Sequence, residues 1–161
     1  MDAVIELFRQ ALADTDANVR KVVLKDVAPI PGSLQTEAEK ALNDYSYLNQ
    51  ELALQNLCQS FPDKAEEYLN KTKDLVGWRG MNIRMKWLEI AITEGKTDFL
   101  KEVVDYTGPK YEFETRINAF IVLKRLLYFD EVTIANAKSA SQHWNGKLSG
   151  AAKEYLSYFN K

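Results

Sequence analysis

One small pattern of residues recurs along this chain and constrains its fold more than any other feature. A polar residue is followed three positions later by a residue of a usually buried type, and four positions after that by another. Four copies start 30, 34 and 32 residues apart, and a weaker fifth starts 32 residues further on: Arg20-x-x-Val23-x-x-x-Val27, Gln50-x-x-Ala53-x-x-x-Leu57, Arg84-x-x-Trp87-x-x-x-Ala91, Arg116-x-x-Ala119-x-x-x-Leu123 and Leu148-x-x-Ala151-x-x-x-Tyr155. Steps of three and four keep residues on one face of a helix. The repeat length fits one helix pair with two turns, so the sequence predicts an all-α chain, an α-solenoid of about five antiparallel helix pairs.

Local signals place ten helices on this frame and no convincing strand. Apolar residues at helical spacing, together with turn residues, predict helices over 3–13, from the 14–16 turn to about 28, and over 34–43, 46–60, 63–73, 82–93, 98–106, 112–128, 131–143 and 147–159. Pro29 and Pro31 enforce the end of the second helix, because proline cannot continue a helix. The short turns favour antiparallel neighbours.

The bulk composition limits the size and class of the protein. Of 161 residues, 46% are hydrophobic and 27% charged, which is ordinary for a soluble globular chain and predicts one domain over residues 1–161. The net charge of −2, with both signs interspersed, disfavours a nucleic-acid partner, since phosphate binding needs clustered Lys and Arg. No signal peptide or membrane span is expected, and the compartment stays open between cytoplasm and periplasm.

Residues that could support catalysis or bind a cofactor are scarce. His143 is the single histidine, and no zinc-protease, P-loop, nucleophile-elbow or dinucleotide motif occurs. His143 has two interpretations, a helix-end or turn residue and a ligand or proton-transfer group, and the first is favoured by its position. Cys58 lies in an apolar run and is expected to be a buried, inert thiol. We therefore predict no catalytic, cofactor-binding or metal-binding residue in this chain.

A few residues outside the repeat pattern are candidates for contact with a partner. Trp78 and Arg79 lie between two glycines, which is a composition found at interface hot spots, but a tryptophan that folds back over a helix end is the favoured interpretation of Trp78. Trp87 and Trp144 are expected in the core. The predicted interface comprises Trp78, Arg79, Lys110, Tyr111 and Phe113. The repeated arginines are expected to make hydrogen bonds within and between repeats.

Several segments resemble one family of helical domains. They are Leu42–Tyr47, Phe61–Ala65, Asn82–Leu88, Tyr111–Ala119 and Trp144–Ala151. Over roughly residues 14–159 the chain resembles the C-terminal HEAT-like domain of aminopeptidase N-type zinc metallopeptidases, with the bacterial branch the most similar. That family's zinc ligands and substrate-amine motif belong to a preceding domain, and no residue here matches them. The resemblance implies a non-catalytic module that closes over the catalytic domain of a parent peptidase and shapes the access of peptide substrates, with zinc expected only in that parent domain.

Two other classes of function are compatible with a helical repeat. A free-standing HEAT-like scaffold would bind another protein along its concave surface. A HEAT-like DNA glycosylase would need a basic groove, which conflicts with the near-neutral charge. An H-E-x-x-H motif encoded upstream in the same reading frame would favour the peptidase module over the scaffold.

Overall fold

The computed structural model describes residues 2–159, and within this range the regular secondary structure is helical, without a strand. The ten α-helices of these residues are α1 (Asp2–Leu12), α2 (Ala17–Asp26), α3 (Gln35–Lys40), α4 (Tyr47–Ser60), α5 (Ala65–Thr72), α6 (Asn82–Thr93), α7 (Leu100–Tyr106), α8 (Phe113–Arg125), α9 (Glu131–Ala140) and α10 (Gly146–Phe159). Short 3₁₀ turns flank several of them, as at Gly32–Leu34 and Pro62–Lys64. The prediction of an all-α chain is confirmed, and every predicted helix coincides with an observed one.

The end of α8 differs from its prediction, and the backbone shows why. The sequence predicts a helix to residue 128, but α8 ends at Arg125. Leu127 adopts a left-handed conformation with φ of 52°, and the amide of Tyr128 donates to the carbonyl of Leu123 at 3.0 Å. This is the closing geometry that glycine normally provides at a helix end. A leucine in this position gives no sequence signal for termination.

Side-chain caps fix the starts of two helices. The Asp16 carboxylate accepts a hydrogen bond from the Asn18 amide at 2.8 Å at the start of α2. At the start of α9, Asp130 Oδ1 accepts from the Thr133 amide at 2.7 Å, and the Thr133 hydroxyl accepts from the Asp130 amide at 3.0 Å. This reciprocal pair is a capping box, which satisfies amides that have no partner within the helix.

The helices fall into two compact units, Met1–Gly77 and Trp78–Lys161. In the first unit, α2 packs beside α4 and the two helices run parallel. Asn49 donates to the Ala17 carbonyl at 3.0 Å near the starts of both helices, and Asn56 donates to the Leu24 carbonyl near their ends. The two asparagines lie seven residues apart, and so both project from one face of α4. The parallel arrangement is the one expected for inner helices of successive repeats.

In the second unit, α6 packs on α8 and α8 packs on α10. Lys124 of α8 pairs with Glu154 of α10 at 2.7 Å, and the Tyr155 hydroxyl donates to the Tyr128 carbonyl at 2.8 Å, so the ends of α8 and α10 lie together. Trp87 is buried between helices at 6% exposure, as predicted, with its ring 4.9 Å from that of Phe99 in an edge-on contact. Successive parallel inner helices are compatible with an α-solenoid, while the single domain over residues 1–161 stays a prediction.

The arginines of the repeat pattern share a position but not a partner. Arg20 donates to the Asp14 and Thr15 carbonyls in the preceding turn, at 2.6 and 3.1 Å. Arg116 donates to the Thr107 carbonyl at 3.0 Å in the same way. Arg84 instead pairs with Glu102 of α7 through two hydrogen bonds, at 2.8 and 2.6 Å. Internal hydrogen bonding thus accounts for the repeated arginines, as expected.

Candidate functional site

The five predicted interface residues all lie in the second unit, around the starts of α6 and α8. Trp78 and Arg79 precede α6, Lys110 and Tyr111 precede α8, and Phe113 is the first residue of α8. The start of α10 lies on the same side, because α10 is parallel to α8 and packs along it. We call the surface formed by these three turns, residues 78–81, 110–113 and 143–145, the turn edge.

The turn before α6 is held against α8 by glycine geometry. Gly80 has φ of 73°, and a Cβ placed on it would lie 2.6 Å from Asn118 Nδ2 and 3.0 Å from the Glu114 carbonyl oxygen. Asn118 Nδ2 donates to the Gly80 carbonyl at 2.9 Å. The Gly80 amide donates to Glu112 Oε1 at 3.4 Å. Only glycine permits this close approach with this backbone conformation, and the contacts join the first two turns of the edge.

Trp78 projects from this turn into solvent. Its side chain is 65% exposed, while its amide donates to Asn82 Oδ1 at 3.0 Å. This exposure favours a surface position for Trp78 over one in which its ring covers a helix end, and its role at an interface stays a prediction. The neighbouring Arg79 is also exposed. The reason is local, since the positive φ of Gly80 turns the chain toward α8 and leaves the preceding side chain outside.

The turn before α8 is organised by Asp105. Its carboxylate pairs with Lys110 Nζ at 2.8 Å and accepts a hydrogen bond from the Tyr111 hydroxyl at 2.5 Å. The Lys110 and Tyr111 hydrogen bonds lower the pKa of Asp105, and the same carboxylate raises the pKa of both partners. The Tyr111 ring also packs edge-on against Tyr106 at 5.0 Å. Lys110 is exposed but ion-paired within its own turn, so it presents less net charge to a partner than its sequence position suggests.

Phe113 and Tyr111 are half-buried. The third turn contributes Trp144, for which the sequence predicts a place in the core. Trp144 is 83% exposed, so its prediction as a core residue is wrong. Asn145 explains the outcome, because its side-chain oxygen caps α10 by accepting from the Lys147 and Leu148 amides, both at 3.1 Å. The cap fixes the turn and directs Trp144 outward. His143 accepts from the Asn145 amide at 3.1 Å through Nδ1, which is the turn role favoured for it.

A second periodicity could have revealed the aromatic residues of the turns, of which Tyr45, Trp78 and Trp144 are exposed and Tyr111 is half-buried. Tyr45, Trp78, Tyr111 and Trp144 are spaced 33 residues apart throughout. Each lies in the turn that precedes a helix bearing the repeat pattern, namely α4, α6, α8 and α10. In the first unit Tyr45 is also exposed, with the Arg20 guanidinium 4.7 Å from its ring centroid. An aromatic at one turn position in successive repeats indicates a surface feature, because the turn lies outside the apolar face of either helix.

The turn edge carries two exposed tryptophans, Trp78 and Trp144. Two depressions of about 290 and 370 Å³ are lined by residues other than the five predicted ones, the second of them by Thr97, Lys101, Val104 and Tyr128 among others. No three His, Cys, Asp or Glu residues in the described part of the chain are grouped as metal ligands. Cys58 is buried, as predicted, and is not part of a disulfide. Among the helices of residues 2–159, none has both the length and the apolar character to cross a membrane.

Comparison with known proteins adds no family assignment to this geometry. No protein-family model matches the chain, and no curated protein sequence matches it. The fold therefore defines the class, an all-α chain of repeated helix pairs with an aromatic residue in the turns before α4, α6, α8 and α10.

Proposed function

We propose that this chain is the non-catalytic, HEAT-like C-terminal module of a zinc aminopeptidase, in which the turn edge packs against the catalytic domain. In this position the module restricts access to the active site and shapes the chamber that receives peptide N-termini. The proposal is supported by the sequence resemblance over residues 14–159 and by the character of the turn edge.

The observation that carries the proposal is the exposure of Trp78 on a turn that is fixed by Gly80 and Asn118. A tryptophan removes roughly 150–250 Å² from water when it is buried, which makes it a strong interface anchor. The turn is pre-organised by the hydrogen bond from Asn118 to Gly80, so little ordering entropy is lost when a partner binds. Trp144 on the same edge adds a second exposed tryptophan.

Zinc enters this proposal only through the catalytic domain, where it would activate the water that attacks the peptide bond. The described residues offer no grouped ligands for it. We expect the isolated chain to bind no stoichiometric zinc and to hydrolyse no aminoacyl anilide. Metal analysis that finds one tightly bound zinc per chain, or measurable hydrolysis, would remove the proposal.

A binding experiment tests the proposed interface directly. The reading frame upstream of residue 1 is first examined for H-E-x-x-H, and the encoded catalytic domain is then expressed separately. Residues 1–161 are expected to bind it, and Trp78→Ala to weaken binding by more than 2 kcal/mol, about the threshold for a hot spot. Val132→Ala, at an exposed position on α9, serves as the control and should bind as the wild type does. Equal affinity of both variants would show that the turn edge faces elsewhere.

The alternative function is a free-standing HEAT-like scaffold for another protein. The observation that favours it is the 33-residue spacing of aromatic residues in the turns, three of which are exposed, Tyr45, Trp78 and Trp144. One contact residue per repeat is the arrangement by which repeat proteins bind extended partners. Absence of a catalytic domain from the reading frame, combined with loss of partner binding in Tyr45→Ala and Trp144→Ala, would favour the scaffold.

A further inference from the structure

The first helix pair carries an apolar surface that its neighbours in the first unit leave uncovered. Val4 and Leu7 of α1 are exposed, and so are Val19 and Val22 of α2, with Leu7 at 63% and Val22 at 53%. We call these four residues the end face. Scattered single apolar residues are normal on a surface, but here both helices of one pair contribute two each.

Helix geometry shows that the end face points away from the rest of the unit. On α2, the carbonyls of Ala17 and Leu24 accept the asparagine hydrogen bonds from α4, and thereby mark the side that faces α4. At 100° per residue, Val19 and Val22 lie roughly 150° around the helix from that side. The end face thus lies opposite the α2–α4 interface.

On α1 the same arrangement holds. Arg9 marks the side toward the next helix pair, because it bonds Glu37 at 3.2 Å and the Ser33 carbonyl at 3.0 Å. Leu7 lies roughly 160° from Arg9 around α1. Both helices therefore turn apolar residues to the side on which a preceding repeat would stack.

A charge on α2 matches the ion pair seen between later inner helices. Glu154 of α10 forms an ion pair with Lys124 of α8. In its own repeat, Glu154 is six positions after the first residue of the pattern, Leu148. Lys124 belongs to the preceding repeat and is eight positions after the first residue there, Arg116. Asp26 stands six positions after Arg20 and is exposed. The equivalent contact would bring a lysine or arginine from a preceding inner helix to Asp26.

The same charges disfavour a second copy of this chain as the occupant. Two copies related by a two-fold axis would cross their α2 helices antiparallel over Val19 and Val22. Asp26 of one copy would then lie near Asp14 and Asp16 of the other. Like charges in such proximity oppose association, whereas a parallel helix presents its own last turn to Asp26.

We propose that the end face is the docking surface for a further helix pair of the same repeat type, which belongs to the same polypeptide and stacks parallel on α1 and α2. This interface repeats the α2–α4 contact one repeat earlier in the stack. Apolar residues of the docking helix pair cover Val4, Leu7, Val19 and Val22, and a basic residue of that pair forms an ion pair with Asp26. This inference rests on the part of the proposed function in which the chain is a module of a larger protein.

Hydrogen exchange on the complete polypeptide encoded by the gene and on residues 1–161 tests the proposal. Amides of α1 and α2 are expected to exchange about tenfold more slowly in the complete polypeptide, because docking suppresses local opening. The double variant Leu7→Gln/Val22→Thr, which keeps side-chain volume, should lower the Tm of the complete polypeptide and leave that of residues 1–161 nearly unchanged. Val132→Thr on α9 is the matched control and should change neither.

The outcomes separate this inference from the proposed function. Equal exchange in both proteins, or a complete polypeptide with no helix pair before residue 1, overturns the inference. A dimer of residues 1–161 that Leu7→Gln/Val22→Thr dissociates assigns the end face to a second copy, and also overturns it. Slower exchange of α1 and α2 in a complete polypeptide that lacks an upstream H-E-x-x-H motif supports the inference and overturns the proposed peptidase function. An upstream H-E-x-x-H motif together with unchanged exchange of α1 and α2 overturns the inference and leaves the proposed peptidase function intact.

Discussion

Arg20 and Asp44 form a two-point ion pair inside the first unit. Arg20 Nε donates to Asp44 Oδ2 at 2.6 Å and Nη2 donates to Oδ1 at 2.8 Å, and both side chains are largely buried. Asp44 begins the turn before α4, and Arg20 belongs to α2, so the pair joins two successive repeats. Its parallel geometry is the strongest form of the arginine–carboxylate contact.

Removal of one member of this pair should be costly. Asp44→Ala leaves the Arg20 guanidinium buried without its carboxylate, and we expect a loss of about 3–5 kcal/mol in the free energy of unfolding. The double variant Arg20→Met/Asp44→Leu should recover most of that loss, because it leaves no unpaired charge. Urea denaturation measures both. A single-variant loss below about 1 kcal/mol would mean that the pair behaves as an exposed one does.

The same pair predicts the pH dependence of stability. Burial by itself would raise the pKa of Asp44, but hydrogen bonds from Arg20, the Ser46 amide and Asn49 outweigh it and hold the pKa below the ordinary value of 3.8. A depressed carboxyl pKa contributes stability that is fully present above pH 3.8 and is lost as the pH falls through the folded-state pKa. In Asp44→Asn, the free energy of unfolding should therefore decrease less steeply than in the wild type as the pH falls below 3.8. An unchanged slope would place the acid sensitivity in other carboxyls.

Two tryptophans provide a matched comparison of burial. Trp87 is 6% exposed and lies under the Arg84 guanidinium at 4.5 Å, whereas Trp144 is exposed. Trp87→Ala should cost about 3–5 kcal/mol, the range for deletion of a buried aromatic. Trp144→Ala should cost less than about 0.5 kcal/mol, as surface substitutions do. Chemical denaturation measures the loss of unfolding free energy in the two variants. Similar losses in both would contradict the register of α6, which places Trp87 in the core.

Two glycines separate strain from steric overlap. Gly95 has φ of 92° and open space where a Cβ would be, so Gly95→Ala should cost about 1–2 kcal/mol from the left-handed backbone alone. Gly80→Ala adds the overlap with Asn118 and Glu114 and should cost about 1–3 kcal/mol more. The difference in unfolding free energy measures the overlap. Equal costs would show that the turn before α6 can move away from α8.

The strained end of α8 offers a stabilising substitution. Leu127 holds φ of 52° with a side chain that is mostly exposed, so it contributes little packing to offset the strain. Leu127→Gly should raise the free energy of unfolding by up to about 1 kcal/mol, because the relief of about 1–2 kcal/mol of left-handed strain is partly offset by the greater conformational freedom that glycine loses on folding. Thermal unfolding monitored by circular dichroism would detect the rise in Tm. A fall in Tm would mean that the leucine side chain packs more strongly than its exposure indicates.

The sequence by itself determined the helices, since spacings of three and four residues fix which face of a helix is apolar. The repeat predicts Trp87 in the core, where it is buried, because this residue occupies a position of the repeat pattern. The same reasoning did not reach the turns, where no helical period applies. The prediction of Trp144 in the core is wrong, because the Asn145 cap on α10 directs its side chain outward.

Only the tertiary structure decided the partners of the repeated polar residues. Arg20 and Arg84 have equivalent positions in the pattern, yet Arg20 bonds a turn carboxylate and turn carbonyls, and Arg84 bonds Glu102 of α7. A helical period specifies the direction in which a side chain projects from its own helix. The partner comes from another element at a distance of many residues, and packing alone brings the two together.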